Sequence, residues 1–351
     1  MGRSPIKLIL IGFVFATFCV ESVSAQVRIN GAGASFPYPI YARWISEYNQ
    51  HQNDYRFNYQ SIGSGGGIRQ FSNRTVHFGA SDSPMTDDHL ERVDRDIMHI
   101  PTVMGSVVIA YNLPGFEGNL RLTGEILADI FMRNITKWNH PSIQKLNPNY
   151  KLPDEYIMPV RRADGSGTTD IFSDYLNKVS QTWAKNIGRG TALRWPMQTI
   201  GARGNEGVTG MLRQIPGSIG YIELAYAKQF NFPMIQLKNA AGNFISPSPK
   251  TVSAAALGLT EAEFYGDYRL SITNSTHEQA YPISAFTYIL IPTLIETEHD
   301  IAVRQFLDWS LSEGQSFAET LHYAPLPERL AKIIRERISL EDRPKGKIAN
   351  E

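Results

Sequence analysis

The chain has almost no sulfur chemistry to offer, with a single cysteine, Cys19, among 351 residues. One thiol cannot form an intramolecular disulfide, and it cannot build a thiolate metal site, which needs several. Histidine is scarcely more promising. The eight imidazoles are scattered, without H-E-x-x-H or any other ligand spacing, so the sequence supports no catalytic metal centre. Charge of one sign is also lacking. Against 34 Lys and Arg stand 34 Asp and Glu, which leaves no polybasic surface for nucleic acid or anionic lipid. No G-x-x-x-x-G-K-[ST] occurs, and "GAGASF" (31–36) breaks the dinucleotide pattern G-x-G-x-x-G at Phe36. No serine sits in a G-x-S-x-G elbow, which argues against a serine hydrolase of that type.

Long apolar runs are missing too, with one exception at the start. "LILIGFVFATFCV" follows Arg3 and Lys7 and precedes the small-residue site Val23-Ser24-Ala25. That arrangement predicts a cleaved secretory signal peptide over residues 1–25, because the run is too short to span a bilayer comfortably. Cleavage after Ala25 removes Cys19, and with it the only thiol. It also removes Arg3, Lys7 and Glu21, so the balanced charge becomes −1. Bulky Phe18 stands where lipoprotein signals want a small residue, so the expected mature chain carries no lipid. Any anion it binds must be held by local geometry, since bulk charge cannot do it.

What is present is ordinary globular material, 42% hydrophobic and 19% charged, enough for about two domains. Short β-rich runs alternate with segments of helical period. Ile40, Tyr41, Trp44, Ile45 and Tyr48 share one helical face, as do Ile171, Phe172, Tyr175, Leu176 and Val179. "RFNYQSI" (56–62), "IPTVMGSVVIAYNLPGF" (100–116) and "YIMPVRRA" (156–163) read as strands. Near the end, Val303, Phe306, Leu307 and Leu311 mark one helix, and Pro327 opens another in which Leu330, Ile333 and Ile334 face inward. The tail "EDRPKGKIANE" lacks apolar spacing and is expected to fray. The alternation predicts an α/β fold with a mostly parallel sheet.

Three loops follow candidate strands and precede candidate helices: "GAGASF" (31–36), "GSGGG" (63–67) with a short helix starting at Ile68, and "DGSGTT" (164–169). Each combines glycine with a hydroxyl, supplied by Ser35, Ser64, Ser166 or Thr168. In open α/β sheets such loops lie at the carboxyl ends of strands, where ligands bind. Backbone N–H groups at helix starts, together with hydroxyls, are the donors an oxyanion needs. Any one loop is by itself an ordinary turn; their recurrence with the same chemistry is the signal. "GSIGY" (217–221) is read as a plain turn into a strand.

Two charged features sharpen the reading. In "RRADGSGTT", Arg162 can grip an oxyanion with its planar fork while Asp164 holds the guanidinium in place, although an ion pair without ligand fits the motif equally. Asp82, ending "FGASD" (78–82), is the odd member, because a carboxylate repels an anion unless the anion brings a proton. Mono- and dibasic phosphate both carry one near neutral pH and sulfate does not, so an acceptor at Asp82 would discriminate between them. The plainer alternative makes Asp82 a cap on the following turn.

Taken together, "GAGASFPYPIYARW", "IGSGGGIRQF", "FGASDSPM", "VRRADGSGTTDIF" and "GSIGYIELAYAK" resemble the periplasmic phosphate-binding proteins of bacterial phosphate ABC transporters, in the family's order and from about Val27 to Leu326. The resemblance implies a type II periplasmic-binding fold, two α/β domains joined by a two-crossover hinge, with dehydrated phosphate in the cleft between them. It implies binding positions at Ser35, Phe36 (through its N–H), Ser64, Asp82, Arg162, Ser166, Gly167 and Thr168, with Asp164 in support. Gly65, where the family commonly has serine, and His77, where an acid is expected, depart from the pattern. The implied hinge makes the first domain discontinuous, 27–108 plus 286–351, around a second domain at 109–285. The expected protein is a monomeric periplasmic receptor without cofactor or metal, handing inorganic phosphate to an inner-membrane permease. Its rivals are a secreted phosphatase or phosphodiesterase on the same scaffold, for which no nucleophile with its base can be assembled, and a receptor for another oxyanion. Asp82 speaks against sulfate and molybdate and leaves arsenate open.

Overall fold

The computed structural model describes residues 26–339; the signal peptide, Cys19 and the polar tail lie outside the described residues. In chain order the strands are β1 (Val27–Gly33), β2 (Tyr55–Ser61), β3 (Phe78–Ser81), β4 (Ile97–Asn112), β5 (Arg121–Leu122), β6 (Met158–Arg162), β7 (Ile200–Ala202), β8 (Ser218–Glu223), β9 (Gln236–Lys238), β10 (Phe244–Ile245) and β11 (Ser284–Pro292). Eight of them form one sheet in the order β2-β1-β3-β11-β4-β8-β6-β7, and the short β10, β9 and β5 form a second. The flanks are parallel, with β1 beside β2 and β3, and β6 beside β7 and β8. The middle is antiparallel: β11 runs against both β3 and β4, and β4 against β8. The sheet is therefore mixed where a mostly parallel one was expected. The physical reason is that β4 and β11 enter the sheet as long crossing strands rather than as units of strand-helix-strand winding.

β4 changes partner along its length. Ile97–Ser106 pair with β11, whereas Val107–Asn112 pair with β8. One strand thus serves two half-sheets, and nearly every residue in it is buried, as expected for a run of β-branched and small residues covered on both faces. An irregularity where Thr287 and Tyr288 face Val103 and Pro101 leaves Thr102 as the extra residue of β4. Such a bulge bends a strand and re-aims its side chains. Here Thr287 turns its hydroxyl toward Asp82.

The helices form where the apolar period placed them. Tyr38–His51 buries Ile40, Tyr41, Trp44 and Ile45. Gly167–Val179 buries Ile171, Phe172, Tyr175 and Leu176, with Val179 half-exposed at its end. Glu298–Ser310 starts on a capping box between Thr297 and Asp300, and Glu328–Ile338 follows Pro327 with Leu330 and Ile334 inward and Ile333 only half-buried. Two loops turn out to be partly helix, and in "DGSGTT" the residues Gly167–Thr169 already belong to helix Gly167–Val179. The glycines at 65–67 do not precede a helix starting at Ile68; they are its first turn, since the helix runs Ser64–Ser72. Glycine propensity is overridden because the backbone there is pressed against other backbone: a Cβ on Gly67 would lie 2.5 Å from Ala80 O and 2.6 Å from Gly33 Cα.

Candidate functional site

The carboxyl ends of β1, β3 and β6 each deliver one of the loops singled out above, and the end of β2 delivers Gly63 and Ser64. Helices starting at Tyr38, Ser64 and Gly167 stand directly behind them. The first backbone N–H groups of each helix have no intrahelical acceptor, and each N-terminus carries positive potential. Ser166 caps the third helix, its Oγ accepting Thr169 N–H at 3.0 Å, so Gly167 and Thr168 occupy the first two helical positions.

The loops are in contact. A Cβ on Gly167 would sit 2.4 Å from Ser64 Oγ and 2.7 Å from Asp82 Cβ, so only glycine permits the third loop to approach the other two. Gly65 N–H donates to Gly165 O at 2.9 Å, and a Cβ at Gly65 would lie 3.2 Å from Gly165 Cα. The departure from serine at position 65 therefore matches an unusually close approach of two backbones. His77, the other departure, stands at the far end of β3 from Asp82, where its Nδ1 accepts Asn30 N–H and its ring stacks on His299 at 4.2 Å.

Arg162, the last residue of β6, is 3% exposed and wholly organised. Its Nε donates to Asp164 Oδ1 at 2.8 Å, its Nη2 to Asp164 Oδ2, and its Nη1 to Thr168 Oγ1 at 3.1 Å. This is the two-pronged geometry of a guanidinium on a carboxylate. Burial opposes the charge on Asp164, but the Arg162 guanidinium and the Gly204 N–H bonded to it hold its pKa below the ordinary value. Arg161, the neighbouring arginine, reaches instead to Thr199 and to the Arg162 carbonyl.

Asp82 is 4% exposed, and it does not cap the turn that follows. Its Oδ1 accepts from Thr287 Oγ1 at 2.8 Å and its Oδ2 from Ser64 Oγ at 3.3 Å, while the next helix is capped by Thr86. Burial pushes its pKa up to about 7, against the opposing pull of Thr287, Arg162 and Ser64. A carboxyl group that changes charge near neutrality therefore faces the loops. Phe36 contributes only backbone polarity. Its ring is fully buried against Tyr323, and its carbonyl accepts Tyr323 O–H at 2.6 Å.

Sequence reasoning missed three members of this arrangement. Asn205, fully buried in the first turn of helix Gly204–Gln214, donates through N–H and Nδ2 to Ser35 Oγ at 3.0 and 2.9 Å, and through Nδ2 to Thr168 Oγ1 at 3.1 Å. Thr287 comes from β11, 205 positions from the aspartate it bonds. Glu223, fully buried at the end of β8, accepts Ala225 N–H through Oε2 while its Oε1 has no partner; burial raises its pKa well above the usual carboxylate value. "GARGNEG" (201–207) has the same glycine-before-helix form as the other loops and was the one available hint. Thr287 and Glu223 carry no local signal.

The arrangement gathers buried hydroxyls, a buried guanidinium and a buried carboxyl group from loops of both half-sheets. No cluster of His, Cys, Asp and Glu that could hold a metal occurs among the described residues. Two half-sheets sharing β4, with glycine-hydroxyl loops at facing strand ends, are the architecture of the type II periplasmic-binding class. The PBP superfamily domain matches residues 20–314. Within that class the chain belongs to the PstS family of phosphate-binding proteins. The phosphate-binding protein PstS of Xylella fastidiosa (strain Temecula1) is 45% identical over 316 residues, 88% of this chain and 84% of that protein. PstS of Pasteurella multocida (strain Pm70) is 42% identical over 337 residues, 95% and 96% of the two chains. Among solved structures, a phosphate-binding protein from Stenotrophomonas maltophilia shares the fold at 20% identity and TM-score 0.66, over 89% of this chain and 94% of that one. A human phosphate binding apolipoprotein does so at 21% identity and TM-score 0.71, over 88% and 93%.

Proposed function

We propose that this chain captures inorganic phosphate in the periplasm, as a monomer, and delivers it to an inner-membrane ABC permease without any covalent step. One observation carries the reading. Arg162, locked by Asp164, and the helix starts at Ser64 and Gly167 stand beside a buried carboxyl group, Asp82, that titrates near neutrality. Donors alone would suit any oxyanion. The added acceptor suits one that brings a proton, and phosphate or arsenate does so where sulfate does not.

Binding on this geometry needs no bulk positive charge. Ser35, Ser64, Ser166 and Thr168 supply hydroxyls, and Phe36, Ser64, Gly167 and Thr168 supply backbone N–H groups at or beside helix starts. Arg162 supplies the single full positive charge, and Asp82 accepts the ligand's proton. The partner switch of β4 between Ser106 and Val107 supports a hinge there, with a first domain of 27–108 and 286–351 and a second of 109–285. Closure would bring Ser35, Phe36, Ser64 and Asp82 from one side against Arg162, Ser166, Gly167 and Thr168 from the other. Calorimetric titration of the mature protein with phosphate, arsenate, sulfate and molybdate tests the reading. Tight binding confined to phosphate and arsenate is expected. Equal affinity for sulfate would overturn the role of Asp82, and turnover of a phosphate ester would replace the receptor by the phosphatase.

A further inference from the structure

We infer that Asn205 is a positioning residue that turns the Ser35 and Thr168 hydroxyls into obligate donors toward the ligand. The inference rests on the phosphate-receptor reading and concerns the same site. A hydroxyl oxygen has two lone pairs and one proton, and it can ordinarily rotate to donate or accept as its partner requires. Neither hydroxyl has that freedom here. Ser35 Oγ accepts twice from Asn205, from N–H at 3.0 Å and from Nδ2 at 2.9 Å. Thr168 Oγ1 also accepts twice, from Asn205 Nδ2 and from Arg162 Nη1, each at 3.1 Å. Both lone pairs of each oxygen are filled, so each retains only its proton to offer.

The orientation of the Asn205 amide follows from its other end. Its Oδ1 accepts Glu223 N–H at 2.9 Å. In the flipped amide the NH2 group would face that N–H, donor against donor, and Oδ1 would draw in the two hydroxyl protons. Glu223 N–H therefore selects the rotamer that sends both protons away from Asn205. Ser35 lies 170 positions before Asn205 and Thr168 lies 37 before it, so one side chain sets the polarity of loops from both half-sheets. The consequence for the ligand is specific. The oxygens it presents to Ser35 and Thr168 must be unprotonated, so its proton has to point away from these two loops.

The test uses Asn205→Asp and Asn205→Ser in the full mature chain, titrated with phosphate and with sulfate. In Asn205→Asp a carboxylate accepts where the amide donated, recalling both hydroxyl protons from the ligand. Phosphate affinity is expected to fall by about 100-fold or more, as befits two lost hydrogen bonds to a charged acceptor. Sulfate affinity should fall in parallel, because both anions present bare oxygens there, so the selectivity ratio stays constant. Asn205→Ser, which removes the amide without adding charge, should cost about tenfold, and it serves if Asn205→Asp does not fold. In a Ser35→Ala/Thr168→Val background the cost of Asn205→Ser should shrink to about twofold, because the groups it acts on are gone. Additive losses in that cycle would overturn the inference, as would wild-type phosphate affinity in a folded Asn205→Asp protein. Failure of the unsubstituted protein to bind phosphate would overturn the receptor reading itself, and this inference with it.

Discussion

Replacing Asp82 by asparagine separates what this carboxyl group does for the fold from what it does for the ligand. Its folded pKa of about 7 lies some three units above the ordinary 3.8, because burial penalises the ionised form more than Thr287, Arg162 and Ser64 favour it. A raised carboxyl pKa adds stability that is fully present below about 3.8 and is lost as pH rises through about 7. At 1.36 kcal/mol per unit, the loss between those limits is about 4 kcal/mol. Asparagine has the same shape and no charge to desolvate. It can accept the Thr287 hydroxyl through Oδ1 and turn Nδ2 toward Ser64 Oγ. Asp82→Asn should therefore match the wild type in stability near pH 4 and exceed it at pH 8 by up to about 4 kcal/mol, as read by denaturant unfolding at both pH values. Binding should move the other way. The amide cannot serve as the same anionic acceptor for the phosphate proton, and it no longer repels sulfate. One charge-assisted hydrogen bond contributes roughly 1.5–3 kcal/mol, so the phosphate-to-sulfate preference should shrink by about 10- to 100-fold in paired titrations. The wild type should show the same trend with pH: below about 7 a protonated Asp82 ceases to repel sulfate, and sulfate binding should strengthen with uptake of a proton. An unchanged selectivity ratio in Asp82→Asn, together with lower stability at pH 8, would refute both halves of this reasoning.

Three further outcomes follow from the same geometry. Arg162→Ala should weaken phosphate binding by about tenfold or more and leave Asp164 buried without its cation; Arg162→Ala/Asp164→Asn should recover stability but not affinity, which unfolding and titration would distinguish. Gly167→Ala places a methyl group 2.4 Å from Ser64 Oγ and should hold the cleft ajar, so small-angle scattering with phosphate would show a larger radius than the wild type under the same conditions. Glu206 accepts Ser61 Oγ–H and Tyr226 O–H, each at 3.0 Å, tying the end of β2 to the opposite half of the molecule. Glu206→Ala should speed phosphate release by about threefold to tenfold in stopped flow with little change in association, whereas Glu206→Gln, which keeps an acceptor oxygen, should release at nearly the wild-type rate.

The sequence by itself determined the features whose causes are local. Apolar spacing set the buried faces of helices Tyr38–His51 and Gly167–Val179, because a helical face is written within a few turns of chain. The glycine-hydroxyl loops and the Arg162–Asp164 pair were legible for the same reason, the pair standing two residues apart where β6 ends. Tertiary structure alone decided the rest. β4 and β11 run antiparallel through the middle of the sheet because chain segments about 180 positions apart meet there, and no local period encodes a partner at that distance. The glycines after Gly63 became helix rather than loop because a neighbouring backbone lies within van der Waals reach. Asp82 by itself read more readily as a turn cap, until burial raised its pKa to about 7 and a distant strand brought the Thr287 hydroxyl to its Oδ1. Asn205 drew no reading from the sequence, and only packing placed its amide against Ser35, Thr168 and Glu223 at once. Propensity and periodicity act over a turn or two of chain; the charge state of a carboxyl group and the direction of a hydroxyl proton depend on whatever the fold brings beside them.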